Sequence, residues 1–206
     1  SVSDPSGLSK IIAQVRNPSF DNTIVAVYGG DLLGNLWRFD VNGDIGATGI
    51  EAQLLATLKD GTTATTKAQP ITSKPEVGIV NDHVVVFVGT GRLLAGEDIA
   101  DASLQTLYAI KDTGVGTASP QVTPVFDNPG GERTSSSPTN VNANGFVRQI
   151  QSEIQCPTGN LASVCVSGQT IVTSTNYPVN FATQNGWFVD MIHGSERIST
   201  DPVLGL

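Results

Sequence analysis

The sequence predicts an all-β fold with one short N-terminal helix and long loops, and three observations carry that expectation. Among 206 residues there are 22 Gly and 11 Pro, with Ser, Thr, Asn and Val in visible excess. This is the composition of short strands joined by turns, not of a helix bundle. Runs of alternating or β-branched residues recur along the chain, while helical spacing of apolar residues occurs only near the start. A strand–turn–strand plan also returns in a second copy. Hydrophobic residues at 39% against charged residues at 15% exclude a disordered chain, and the length suits one domain and no more than two.

The N-terminus supplies the helix. Asp4 suits a cap and Pro5 the first helical position, and Leu8, Ile11, Ile12 and Val15 fall at i, i+3, i+4 and i+7. The element is expected to end near residues 16–18. The period then changes to that of strands. Residues 23–28 form a β-branched and aromatic run, 29–35 are rich in turn residues, and 36–40 resume alternation, with Leu36 and Arg38 on one face and Trp37 and Phe39 on the other. Two such runs around a Gly/Asn/Asp loop predict a β-hairpin. A third strand is expected over 51–58.

The plan then repeats. Residues 69–78 read as a strand interrupted by Pro70 and Pro75, 83–89 (HVVVFVG) as a buried strand, and 104–111 (LQTLYAIK) as its partner across the turn at 90–92. Alignment sets VYGGD at 27–31 beside FVGTG at 87–91, and LWRFD at 36–40 beside LYAIKD at 107–112. An apolar strand, a Gly turn and an aromatic strand ending in Asp compose the inner hairpin of a β-propeller blade. Residues 113–145 are poor in apolar side chains and read as a long loop or insertion. Strands are expected again at 146–154, 169–175 and 186–191.

The predicted organisation is therefore part of a single β-propeller domain over 1–206, with modified blades at about 20–60 and 69–112, the insertion at 113–145 and a partial blade at 146–206. Blades take about 40–50 residues and closure needs about four to eight of them. The two ends, beginning at Ser1 and stopping at Leu206, accordingly read as those of a piece of something longer. Trp37, Phe39 and Trp187 are assigned to packing between blades.

Charge and motifs exclude most other classes. Lys plus Arg total 11 against 19 Asp plus Glu, a net charge of −8, which leaves no footprint for a phosphate backbone or an anionic lipid surface. No apolar run is long enough to span a bilayer. There is no GxSxG, no HExxH and no useful Cys/His pair, and only two His, His83 and His193, so no enzyme is predicted. Asp31 and Asp40 bracket the first hairpin; paired acids are one reading, bonds to turn and strand-end amides the better one. Glu196 and Arg197 could form an ion pair at a blade start. Cys156 and Cys165 lie close enough in sequence for a local disulfide, a bond that persists outside the cytosol, with two buried thiols as the alternative.

Four ordered blocks carry a resemblance. YGGDLLGNLWRFD at 28–40, PITSKPEV at 70–77 with VFVGTGRLL at 86–94, QTLYAIKD at 105–112, and GWFVD at 186–190 with GSER at 194–197 and Asp201-Pro202 closely resemble the signature of the PilC/PilY family of type IV pilus tip-associated adhesins. The resemblance implies a C-terminal, modified β-propeller of a large protein exported by a Gram-negative bacterium to the pilus tip, cell surface or extracellular space. It implies a non-enzymatic role in pilus biogenesis and surface attachment. The partners would be pilins or minor pilins, the rest of its own polypeptide, and a host or abiotic surface. The first block alone also resembles quinoprotein (PQQ-type) dehydrogenase blades, which leaves a fragment of such an enzyme as one alternative and a subunit of another extracellular appendage as a second.

The family also implies calcium, held by an Asp-rich loop before the first block. Here that stretch, 17–23, has Asp21 as its single carboxylate, whereas a hard cation takes several. A second loop fits better: Asp40, Asn42, Asp44 and Glu51 stand at EF-hand-like positions, with Ile45 where the sharp turn calls for Gly. These four are the candidate calcium ligands, with an Asx-rich turn as the alternative.

Overall fold

The computed structural model describes residues 6–17, 19–41, 51–61, 66–114, 123–131, 133, 140–156 and 165–205. Strands β1 (Leu8–Asn17), β2 (Asp21–Asp31), β3 (Asn35–Asp40) and β4 (Glu51–Thr57) run antiparallel in chain order. Strands β5 (Glu76–Val80), β6 (His83–Gly89) and β7 (Thr106–Lys111) start a second antiparallel sheet, with a 3-10 turn at Gly96–Ala100 between the last two. The chain then returns to the first sheet, laying β8 (Phe126–Asp127) parallel to β4. It comes back with β9 (Phe146–Gln149), makes a separate hairpin of β10 (Gln151–Gln155) and β11 (Thr170–Ser174), and ends with β12 (Gly186–Asp190) between β7 and β9. The result is two open five-stranded sheets of one plan, β1-β2-β3-β4-β8 and β5-β6-β7-β12-β9, each ending on a fifth strand parallel to the fourth.

Local chemistry explains the turns. Between β2 and β3, Gly34 takes φ +77°, a conformation open to Gly at little cost, and the Asp31 carboxylate accepts the amides of Leu33 and Asn35 at 2.9 Å each. Between β5 and β6, Asn81 and Asp82 both have positive φ, 49° and 64°, as a two-residue type I′ hairpin requires.

The main core lies between the sheets. Ala26, Tyr28, Leu36, Leu55, Ala56 and Leu58 from the first meet Ile71, Val86, Val88, Tyr108, Ile110, Phe146 and Phe188 from the second. A bulge opposite Leu36–Trp37 lets the adjacent Leu55 and Ala56 both enter this core. A smaller cluster on the far face of the second sheet packs Val85, Ala109 and Phe181 with Phe87 and Trp187.

Two lead-in segments repeat one device. The Ile71 amide donates to Asp31 O at 3.0 Å and its side chain lies over Gly30; the Ile198 amide donates to Thr90 O at 2.9 Å and its side chain lies over Gly89. A Cβ on Gly30 would come within 2.1 Å of Ile71, and one on Gly89 within 2.2 Å of Ile198. Both glycines are there for close approach.

Four expectations are corrected. The helix expected from Asp4 to 16–18 is strand β1 over its described part; Asp4 and Pro5 lie outside the described residues. Ile11, Ile12 and Val15 are β-branched and favour extended backbone. Register shifts between Leu8 and Ile11 and between Gln14 and Val15 break the alternation and mimic helical spacing. The stretch expected as a partial blade, 146–206, instead gives β9 and β12 to the second sheet, because Gly186–Asp190 pairs with the β7 edge left open by the chain's departure. The expected insertion, 113–145, contributes β8 to the first sheet. Trp37 and Phe39 are half-buried on the face of β3 opposite the inter-sheet core, which takes Leu36, and Trp187 sits in the smaller far-face cluster.

Candidate functional site

The chemistry-bearing side chains of this fold gather along the seam between the sheets. On β2 and β3, Tyr28 and Arg38 are cross-strand partners, so both point into the seam. Asp112, one residue past β7 in the other sheet, meets them there. Arg38 Nε lies 2.9 Å from Asp112 Oδ2, with the two side chains 8% and 6% exposed, and the Tyr28 hydroxyl donates to the same carboxylate oxygen. Burial, reinforced by the charge of Asp112, pushes the Tyr28 pKa far above its ordinary value, so the phenol stays a proton donor. The pair Arg38–Asp112 thus ties β3 to the end of β7.

A second cluster crosses the seam through Arg133. Its guanidinium donates to Asp190 Oδ1 at 2.7 Å, to Lys59 O at 2.5 Å and to the Tyr108 hydroxyl at 3.2 Å, and it stands 5.3 Å above the Phe188 ring. Tyr108 donates to Gln69 Oε1 at 2.7 Å, and Thr106 donates to Asp190 at 2.8 Å. Arg148 adds a weaker approach to Asp190 Oδ2 at 3.6 Å. Burial raises the Tyr108 pKa as well. Each cluster holds a buried Tyr with an Arg–Asp pair: the first draws its three residues from both sheets, and in the second Arg133, from the segment after β8, reaches Tyr108 and Asp190 of the second sheet. The chemistry of both is cross-linking: each phenol is a neutral donor and each carboxylate is engaged by a guanidinium.

The sequence marked part of this. Asp40, Asp112 and Asp190 each end an aromatic strand, and two of the three receive an arginine across the seam. Arg133 was missed because it lies in the stretch read as a loop, and no local pattern marks a residue whose partners are distant in sequence. Asp31 organises its turn as expected and also accepts the Trp37 indole N–H at 3.1 Å. Glu196 and Arg197 do not pair in the way the sequence suggested. Glu196 accepts the His193 amide, while Arg197 donates to the carbonyls of Arg92, Asp98 and Asp101, clamping the C-terminal segment to the 3-10 turn.

Of the candidate calcium ligands, Asp40 is fully buried and stands opposite Glu51 across β3 and β4. Asn42 and Asp44 lie outside the described residues. Among the described residues no three of His, Cys, Asp and Glu gather as a metal cluster.

Cys156 and Cys165 are joined in a disulfide. It follows the Gln155–Thr170 pair and staples the far end of the β10–β11 hairpin. No residue of β10 or β11 enters either hydrophobic core, and Ile154 and Val172 stand about half exposed, at 42% and 49%. The hairpin is held to the body by bonds from Thr175 and Tyr177 to Gln149 and by His193 Nε2, 2.9 Å from Glu153 Oε1. Among the described residues no helix is long and apolar enough to cross a membrane.

Comparison with known proteins agrees with this architecture. Across 98% of this chain and 43% of the other, the fold superposes on the crystal structure of the Pseudomonas aeruginosa PilY1 C-terminal domain with a TM-score of 0.65 at 22% identity. That likeness identifies the two open sheets as propeller-type. Two proteins of Xylella fastidiosa, each described as a type IV pilus biogenesis factor PilY1 homolog, are 30% identical over 165 residues and 27% identical over 184. These matches cover 75% and 84% of this chain but 13% and 10% of the relatives' own length. A family model described as the PilY1 beta-propeller domain matches residues 2–133. That span takes in β1 through β8 and the whole of the Tyr28–Arg38–Asp112 cluster, and the chain therefore belongs to the PilY1 β-propeller family.

Proposed function

We propose that this chain is a non-enzymatic structural and adhesive module of a type IV pilus-associated protein, acting outside the cell at the pilus tip. Its work is presentation. The two sheets, cross-linked along their seam, form a rigid base, and the stapled β10–β11 hairpin is held out from it for contact with pilins, minor pilins, other parts of the same polypeptide, or a host or abiotic surface. The observation that carries this reading is a covalently closed hairpin that contributes nothing to either core. A disulfide there keeps a contact loop in shape outside the cytosol. Calcium at the loop from Asp40 to Glu51 is part of the proposal. It would brace the connection between two strand ends that are already paired, and its addition would raise the melting temperature in the parent but not in Asp44→Ala.

The test replaces 151–174 by a short Gly/Ser link in the full-length protein, in a bacterium whose own copy is deleted. Pili assemble as in the parent, while attachment to glass and to epithelial cells falls at least about tenfold. Attachment at the parent level would refute the adhesive role of the hairpin. Loss of pili altogether would move its role from attachment to assembly.

A further inference from the structure

A polar cavity of about 340 Å³ lies where the connection after β4 meets the turn after β8. Its frame is built, not incidental. Asn128 is left-handed at φ 52° and Gly131 at φ 50°. The Asn128 amide donates to Thr57 O at 2.8 Å and its side-chain Nδ2 to Gly61 O at 2.7 Å, fixing the turn to the first sheet. Asn144 Nδ2 donates to Asn128 O at 2.9 Å, and Asn142 Nδ2 holds the carbonyls of Pro129 and Gly130. Asn128 is only 8% exposed, yet its Oδ1 is buried with no hydrogen-bond partner among the described residues, and so is Thr66 Oγ1 from the facing wall. Buried polar atoms are seldom left so.

We propose that this cavity binds a neutral, hydroxyl-rich ligand, a sugar residue. The lining decides the class. Lys59 Nζ and Asp127 Oδ1 pair at 2.7 Å, so the described lining carries no net charge. Asn128 Oδ1 and the second Asp127 oxygen only accept, Lys59 only donates, and the Thr66 hydroxyl does either. An anion would meet the acceptors, and an ammonium would meet Lys59. Among the described lining residues a divalent cation would find one carboxylate, already on a lysine, in place of the several it takes. Hydroxyl groups donate and accept, so one kind of group can partner both sorts of atom. The volume lies at the small end of the about 300–1,000 Å³ of ligand sites. This site goes beyond the adhesive reading and does not use the hairpin, so either can fail alone.

The test is saturation-transfer difference NMR on the full-length protein with D-galactose, D-mannose and N-acetyl-D-glucosamine in turn. Transfer to the ring protons of at least one sugar is expected, with a dissociation constant near about 1 mM. Asp127→Asn and Thr66→Val each weaken it about tenfold and leave the melting temperature unchanged, while removal of 151–174 leaves binding intact. No transfer to any of the three sugars overturns the proposal, as does transfer that neither substitution weakens. Transfer abolished by EDTA overturns it too, since it would assign the contact to a bound metal.

Discussion

Asp112 receives a phenol and faces a guanidinium in a place where only 8% of the arginine and 6% of the aspartate is exposed, and the two halves of that arrangement differ in cost. Removing the carboxylate strands Arg38 as an unpaired buried charge, so Asp112→Ala is expected to destabilise by about 3–5 kcal/mol. Tyr28→Phe leaves the ion pair standing and removes one charge-assisted bond, about 1.5–3 kcal/mol. Urea unfolding of the two variants gives the order; equal costs would mean that Arg38 finds other partners. The same phenol makes the fold sensitive to base. Tyr28 and Tyr108 both have pKa values raised by burial, so the folded state keeps the neutral form while an unfolded tyrosine ionises above about pH 10. This contribution to stability is therefore fully present below about pH 10 and is lost as pH rises past it. The melting temperature should fall from pH 9.5 to 11, less steeply in Tyr28→Phe, and a parallel fall in both proteins would exclude Tyr28 as a source.

At the scale of elements, the lead-in segments press an isoleucine side chain against a glycine backbone. Gly30→Ala and Gly89→Ala each push a methyl into an isoleucine at 2.1 and 2.2 Å, and overpacking of that kind costs about 1–3 kcal/mol. Pairing Gly30→Ala with Ile71→Ala should restore part of the loss, as measured by a double-mutant cycle; full additivity would show that the contact is not what strains the variant. These elements were legible to different degrees, for physical reasons. β2, β3, β4, β6, β7 and β12 were placed within a few residues, because alternation, β-branching and Gly/Asn/Asp turns are local signals. β1 was misread because its register shifts replace a period of two by a spacing that imitates a helix. β8, two residues long, has no period at all, and β9 was merged with β10 although Ile150 divides strands bound for different sheets. The site followed the same rule: Asp31 and the Cys156–Cys165 pair act on near neighbours and were found, while Arg133 acts on Lys59, Tyr108 and Asp190 and was not.

For the whole molecule, the decisive feature is that the chain does not finish one sheet before starting the next. After β7 it goes back to lay β8 on β4, then returns to build the far edge of the second sheet with β9 and β12. Arg38–Asp112 ties the same two sheets from side chains, Arg133 bridges Lys59 O after β4 to Asp190 at the end of β12, and the main apolar core lies between the sheets. Two sheets so interleaved cannot lose one partner without uncovering the other's half of the core, so they should unfold as one cooperative unit. The 206-residue chain carries its own reporters, two tryptophans, Trp37 on β3 in the first sheet and Trp187 on β12 in the second. Trp187→Phe leaves fluorescence from the first sheet alone, and Trp37→Phe from the second. Each removes an indole from a half-buried position, so each midpoint is read against circular dichroism of the same variant. Coincidence of fluorescence and dichroism in both variants is the expected result. A fluorescence midpoint below the dichroism midpoint in either would show that one sheet opens first, and that the exchange of strands fixes the topology without coupling the stability of the two halves.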